Sequence, residues 1–478
     1  MKTNDNRKIL ILLVFLILLL LSLIFYLSYF VIFQAPEIID NPANRRARLE
    51  ENSVKRGTIY DRNNEILAYS TGEKYKYKRN YNYPVIYSHV VGYSDRIVGK
   101  YGLEFQLNDY LLGRNTSKLL KSFKSYFNSD VQLDVGDNVT LTTDTNVQKK
   151  ARNLLAEKYN KGAIVMMNPK TGEVYASVSL PDFNSQNIAA DMSEILRQNN
   201  ATFYNNVIKG KYPPGSVFKI VTTTALLESE VDQNYEDTGE EMIDGRPFTN
   251  STDKVYGKVG LKTAFTHSLN TYFAKKATEI GKDKMVEVAE KYMINQDVDF
   301  QLPLKKSTWN YEKKDFDRTS LAAAGIGHDT IVTTPLEMCM VASTIANDGI
   351  MMKPNIVKSI DAPNGDNIVQ INPSVLSEVT TKEIAEQIKE LMINVVNNGT
   401  GTEAYVRGYQ IAGKTGTAQR NIKEDINDAW FVGFAPADDP KVAIAVVIPD
   451  VNEYAGKVAA PIGGELLKYA LDVIQFEE

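Results

Sequence analysis

The sequence predicts an α+β fold: an antiparallel sheet packed with helices, preceded by a small, mainly β N-terminal module and one transmembrane helix. Three observations carry that expectation. Strand-like apolar runs lie at both ends of the C-terminal body, at residues 162–167 and 173–178 and again at 430–434 and 442–447, with helical text between them. Such a layout implies one sheet completed from distant segments. Residues 9–33 are nearly all Leu, Ile, Phe, Val and Tyr without a charge, longer than the roughly 20 residues needed to cross a bilayer. Finally, 478 residues exceed one ordinary domain. The chain is therefore divided into a cytoplasmic tail (1–8), an anchor (9–33), an N-terminal module (34–138) and a main domain (139–478).

The anchor is read as uncleaved. A secretory signal has an apolar core of about 7 to 15 residues and a small-residue cleavage site, whereas this run is longer and ends Phe33-Gln34-Ala35-Pro36. Lys2, Arg7 and Lys8 precede it and Glu37 and Asp40 follow, which favours an inside N-terminus. Arg45, Arg46 and Arg48 count against that bias. A net charge of -5 argues against a nucleic-acid partner. The three histidines, His89, His267 and His328, are too scattered for a metal cluster, so no metal and no cofactor is expected. Cys339 is the sole cysteine, which excludes an internal disulfide, and its apolar setting predicts a buried helix residue.

The elements follow in order. Residues 56–68 read as two short strands about an Asp61-Arg62-Asn63-Asn64 turn. Over residues 74–83 tyrosines alternate with polar and basic residues, the period of a half-buried strand, with contact to an anionic wall polymer as the functional alternative. Residues 111–136 are rich in lysine and serine and form a joint. The Thr140-Leu141-Thr142-Thr143-Asp144 segment ends a strand and caps a helix carrying Val147, Ala151, Leu154 and Leu155. A hairpin turns at residues 169–172, and a helical middle runs from Ser216 to about Asn347. Strands at 414–418, 430–434 and 442–447 and a helix over 461–473 close the chain.

Three motifs carry chemistry. Tyr212-Pro213-Pro214-Gly215-Ser216-Val217-Phe218-Lys219 sets a serine at a helix start with a lysine three residues on, and residues so spaced share a helix face. Ser268-Leu269-Asn270 gives an S-x-N, and Lys414-Thr415-Gly416-Thr417 a K-T-G. Other matches fail on context: Ser251 to Lys254 sits in polar loop text, while Ser185 to Asn187 and Lys170 to Gly172 precede Ser216. The trio in this order is the signature of penicillin-binding proteins and serine β-lactamases. With its anchor and N-terminal module the chain resembles a class B penicillin-binding protein of the short, single-anchor A type. Residues 56–68 resemble that family's R-G-x-I-x-D-R-N-G-x-x-L-A segment, with Asn64 where glycine is usual. Residues 90–93, 102–104, 334–338, 345–349 and 430–434 resemble further family segments. One departure is Gly327-His328-Asp329, where Gly-Gln-Gly or a relative is common.

The resemblance implies a penicillin-binding/serine β-lactamase-like transpeptidase domain and a peptidoglycan D,D-transpeptidase acylated by β-lactams. By that likeness Ser216 attacks the penultimate D-alanyl carbonyl of a stem peptide and an acceptor amine resolves the acyl-enzyme. Lys219 takes the serine proton, which requires a pKa lowered by burial and nearby cations. Lys414 supplies such a cation and holds the substrate carboxylate; Ser268 relays the proton to the leaving amine; Asn270 orients Lys219 and the substrate amide. Thr415 and Thr417 offer hydroxyls to the terminal carboxylate, Gly416 admits substrate backbone, and the N–H groups of Ser216 and Thr417 form an oxyanion hole. The alternatives are a serine β-lactamase, a D,D-carboxypeptidase, or a non-catalytic penicillin-binding scaffold or sensor. A lactamase would draw on Glu104, whose Glu104-Phe105-Gln106-Leu107-Asn108 resembles the class A E-x-x-L-N but precedes Ser216. His267 beside Ser268 does not make a triad, because adjacent helical residues diverge by about 100°. The residues before the main domain are too few for a glycosyltransferase domain, so glycan polymerisation is expected from a SEDS-type membrane partner. The cell membrane, with the main domain outside, is the expected location.

Overall fold

In the computed structural model, which describes residues 2–30, 51–115, 134–197, 202–421 and 426–476, the chain opens with the helix Lys2–Tyr29. Its segment Arg7–Leu27 is long and apolar enough to cross a membrane, and none of it is buried among the described residues. Apolar residues cover it on all sides, as suits a helix in lipid. The expected end of the anchor, residues 31–33, lies outside the described residues, as does most of the joint over 111–136.

The N-terminal module is built on a six-stranded mixed sheet, ordered Asn367–Gln370, Val357–Asp361, Asn138–Leu141, Ile59–Tyr60, Ile66–Thr71, Lys78–Tyr81. Ile59–Tyr60 and Ile66–Thr71 are the expected strand pair. Their turn needs a left-handed residue at Asn64 (φ 64°), which asparagine tolerates better than most side chains. Asp61 holds the turn by accepting from the N–H groups of Asn63 and Glu65, and its other oxygen accepts from Thr145 N at 3.1 Å, tying the module to the first helix of the main domain. The strand expected over 74–83 is shorter than its alternation suggests: only Lys78–Tyr81 pairs. Upstream, Tyr75 takes φ 68° and donates its N–H to Asn52 O, so this stretch loops back on residues 51–54 and Tyr75 stays exposed.

The main domain centres on a five-stranded antiparallel sheet, ordered Ala412–Asn421, Ile426–Ala435, Val442–Val451, Gly162–Met167, Val174–Leu180. First and last segments of the domain thus meet side by side, as expected. Alternation along Ile426–Ala435 splits the core: Trp430, Val432 and Phe434 face the helical side, while Ala429, Phe431 and Ala435 pack on the opposite side. The second side is covered by Thr145–Lys158, capped by Asp144 through Asn146 N and Val147 N, and by Ala455–Val473. The first side carries Pro335–Ala346, where Cys339 is fully buried.

Two expectations need correction. The middle is not uniformly helical, because residues 235–259 form two short strand pairs, Glu240–Ile243 with Arg246–Thr249 and Tyr235–Asp237 with Gly257–Val259. These are polar strands, with too few apolar residues to show a period. The closing helix starts at Ala455, before Pro461, and runs through it. An interior proline costs about 3 kcal/mol, but burial of Val458, Leu466, Leu467 and Ala470 on the sheet outweighs this at roughly 1.5–3 kcal/mol per large side chain. Close approach also needs Gly463, whose Cβ would stand 2.2 Å from Phe431 Cδ1.

Candidate active site

Ser216 lies in a 3₁₀ turn, Gly215–Phe218, that runs directly into the helix Lys219–Leu227. The helix therefore begins one turn later than the sequence suggests. Trp430 Nε1 donates to Pro213 O at 3.0 Å, and the Trp430 and Tyr212 rings meet edge to face, which fixes the proline lead-in on the sheet. Gly215 has φ 53°, and a Cβ there would sit 3.1 Å from Thr417 O, so the turn is pressed against the K-T-G strand. On its other side Gly215 N donates to Gly327 O at 3.0 Å. Ser216 itself is half-buried between these walls.

Lys219 is fully buried. Its Nζ lies 2.8 Å from Ser268 O, 2.8 Å from Asn270 Oδ1 and 3.1 Å from Ser268 Oγ. Ser268 joins the helices Leu261–Thr266 and Asn270–Ile280 and takes φ 59°, an unusual conformation for serine that turns both its oxygens to the lysine. Lys414, also fully buried, reaches the same hydroxyl, its Nζ 3.0 Å from Ser268 Oγ and 3.0 Å from Thr415 O. Burial and then the Lys414 charge push the Lys219 amine well below the ordinary lysine range. Burial pushes Lys414 down to about 7.

Lys414 to Thr417 lie on Ala412–Asn421, the edge strand of the sheet. Thr415 is buried with its hydroxyl 2.6 Å from that of Thr400, and the Thr417 hydroxyl accepts from Ala455 N at 3.2 Å. A Cβ on Gly416 would lie 2.8 Å from Pro214 O and 2.9 Å from Val217 N. The glycine expected to admit substrate backbone thus makes room for the chain's own Ser216 turn.

Sequence reading missed the supports of this site. Asn270 Nδ2 donates to Thr249 O at 3.0 Å, which directs Oδ1 to Lys219. The adjoining Thr271 hydroxyl donates to Asp237 Oδ1 at 2.8 Å, and Asp237 also accepts from Asn250 Nδ2 and Tyr256 N. The Asp237-Thr238-Gly239 turn text was the available signal. Thr400 N donates to Thr266 O, so with its bond to Thr415 it joins the end of the helix Leu261–Thr266, just before the S-x-N, to the K-T-G strand. His328 Nδ1 lies 3.2 Å from Ile326 O, and burial first, with Lys219 and Arg246 nearby, lowers its pKa.

Other candidates fall elsewhere. The His267 ring packs on Tyr256 at 4.9 Å. Glu104 is fully buried in the N-terminal module, held by Arg56 Nε at 2.5 Å and Arg79 Nε at 2.6 Å. Burial alone would raise its pKa, but the two guanidinium groups hold it below the ordinary value. Its likeness to a deacylating glutamate is a structural ion pair. Among the described residues no group of three or more His, Cys, Asp or Glu side chains is placed to hold a metal.

Penicillin-binding proteins share this arrangement of motif and fold, and the chain belongs to that family, as a class B member. The family description "Penicillin binding protein transpeptidase domain" matches residues 162–468, and "Penicillin binding protein A dimerisation domain" matches residues 56–139. A peptidoglycan D,D-transpeptidase, PbpA of Mycolicibacterium smegmatis, is 30% identical over 468 residues, spanning 92% of this chain and 94% of that protein. Among solved structures, penicillin-binding protein A of M. tuberculosis as a ceftriaxone acyl-enzyme is similar with a TM-score of 0.81 at 28% identity, covering 88% of this chain and 100% of that one. The D,D-transpeptidase domain of an Eggerthella lenta peptidoglycan glycosyltransferase gives 0.78 at 34% identity, covering 88% and 99%.

Proposed function

We propose that the chain is a serine-type peptidoglycan D,D-transpeptidase, cross-linking stem peptides through an acyl-enzyme that β-lactams also form. One observation carries the assignment of roles: the surroundings of the Lys219 amine. A neutral lysine has two N–H donors and one lone pair. Two carbonyl oxygens, Ser268 O and Asn270 Oδ1, take the donors at 2.8 Å each. The lone pair is left for a hydroxyl proton, with Ser268 Oγ 3.1 Å from the amine and Ser216 three residues before Lys219 in the chain.

In this reading Ser216 Oγ gives its proton to Lys219 Nζ while attacking the penultimate D-alanyl carbonyl. The oxyanion takes the N–H groups of Ser216 and Thr417, a contribution worth about 100-fold or more. The proton passes through Ser268 Oγ, polarised by Lys414, to the departing D-alanine amine. Lys414, Thr415 and Thr417 hold the terminal carboxylate, with Gly416 setting the strand against the serine turn. An acceptor amine on a second stem then reverses the sequence and releases the cross-linked product.

Residues 9–33 are assigned as the membrane anchor, with residues 1–8 cytoplasmic and the body outside, where the wall polymer lies; Lys2, Arg7 and Lys8 ahead of the anchor support this orientation. Residues 34–138 and 139–478 are assigned as pedestal module and transpeptidase domain, and a SEDS-type glycosyltransferase as the membrane partner supplying glycan. The test is intact mass of the full chain in detergent after penicillin treatment, followed over hours. One long-lived adduct is expected, absent from Ser216→Ala. Rapid loss of the adduct with continuing antibiotic hydrolysis would indicate a lactamase, and no adduct on folded protein a scaffold.

A further inference from the structure

Away from the active site lies a cavity of about 510 Å³, in the range of small-ligand sites. It forms where Lys78–Tyr81, the strand pair Tyr93–Asp95 and Gly99–Tyr101, and residues 51–56 meet Ser185 and Gln186 of the main domain. Gln186 joins the two parts there, accepting from Tyr81 N at 3.0 Å and donating to Arg79 O at 3.4 Å.

The wall is strongly basic. Arg56, Lys76, Lys78, Arg79, Arg96 and Lys100 line it against two acids, Glu51 and Asp95. Both acids are engaged: Glu51 takes Lys100 Nζ on its two oxygens at 3.0 Å, and Asp95 Oδ1 accepts from Ile97 N and Val98 N at 2.7 and 3.0 Å. Beneath them Arg56 and Arg79, 8% and 6% exposed, share the single carboxylate of Glu104. Two guanidinium charges against one carboxylate leave a net positive charge out of water, an arrangement that calls for a counter-charge. Arg79 Nη1 donates to Gly57 O at 2.7 Å, yet its Nη2 is buried with no hydrogen-bond partner among the described residues. At the rim Lys76, Lys78 and Arg96 are exposed. Salt bridges among the described residues involve none of these three.

We propose that this cavity binds an anionic group, a carboxylate or phosphate, presented by the wall polymer or by its lipid-linked precursor. The basic rim draws the anion in and the unbalanced Arg56–Glu104–Arg79 cluster supplies the charge that holds it. The inference rests on the transpeptidase reading only for the source of the anion. An occupant would touch the N-terminal module and the main domain together.

The test uses the full chain in detergent micelles with Ser216 capped by benzylpenicillin. Capping is verified by intact mass, so a failure of the enzyme reading shows at that step and separately. Calorimetric titration then compares a soluble, uncross-linked disaccharide pentapeptide with inorganic pyrophosphate. Saturable binding of the first assigns the carboxylate of the polymer, and of the second the phosphate of the precursor. In either case the double variant Lys78→Glu/Arg96→Glu is expected to bind about 10-fold or more weakly, with unchanged thermal stability and penicillin acylation. Arg79→Gln should lose binding as well, and the rim variant keeps the test decisive if that chain does not fold. Absence of saturable binding by both probes, or equal binding by the rim variant and the unaltered chain, overturns the proposal.

Discussion

Two buried lysines share one hydroxyl, with Ser268 Oγ 3.1 Å from Lys219 Nζ and 3.0 Å from Lys414 Nζ. Water does not stabilise either ammonium, and each charge disfavours the other, so the pair titrates as a unit. The productive state has Lys219 neutral, as the base, and Lys414 charged, to polarise Ser268. Lowering pH protonates Lys219 and removes the base. Raising pH through about 7 discharges Lys414. The penicillin acylation rate is therefore expected to be bell-shaped in pH, with its alkaline limb near neutrality, and Lys414→Arg should carry that limb out of range because arginine stays charged. A rate flat through neutrality would count against the division of roles. At this scale the sequence was informative because Ser216 and Lys219 are bound by local spacing, and Asn270 by its place two residues after Ser268. Lys414 was recognisable through motif order and its strand-like surroundings, whereas Lys170 follows the turn text Asn168-Pro169 and pairs with Asp439 at the surface.

Elements set the precision of those atoms. The polar strand pairs of residues 235–259 act on the chemistry through Asp237, which anchors Thr271 beside Asn270. Asp237→Ala should let the Asn270 amide turn, and acylation should slow by about 10- to 100-fold, the usual cost of misplacing a catalytic group by about 1 Å. Stopped-flow acylation checks this, and an unchanged rate in a folded variant would show that Thr249 alone holds the amide. A second element-scale expectation concerns Ala455–Val473. Gly463→Val should lower stability by about 1–3 kcal/mol in denaturant unfolding, because a side chain there enters the space of Phe431. The central strands were legible in the sequence because burial on both sides leaves continuous apolar runs. The 235–259 strands were not, since hydrogen bonds to Asp237 organise them more than burial does. The start at Ala455 was hidden by Pro461, a local breaker that tertiary packing overrides.

At the scale of the whole molecule the two parts interpenetrate. The module's sheet closes only when Val357–Asp361 pairs with Asn138–Leu141, and Thr142 Oγ1 lies 3.2 Å from Asn355 O across a separation of 213 residues. The sequence did not reveal this exchange, because pairing between remote short strands leaves no periodic trace in either. Residues 34–138 expressed alone are expected to lack cooperative unfolding and slow amide exchange, whereas the chain through residue 478 should show both. Independent folding of the fragment would mean that the late strands are dispensable. The same crossing has a consequence for synthesis. Closing a loop of that length costs roughly 5 kcal/mol in chain entropy beyond a constant term, and the early half of the sheet is made long before its partners exist. The newborn polypeptide must therefore keep the unpaired edge of Asn138–Leu141 soluble until Val357–Asp361 has been made, which makes that edge a stretch where a holding chaperone would matter.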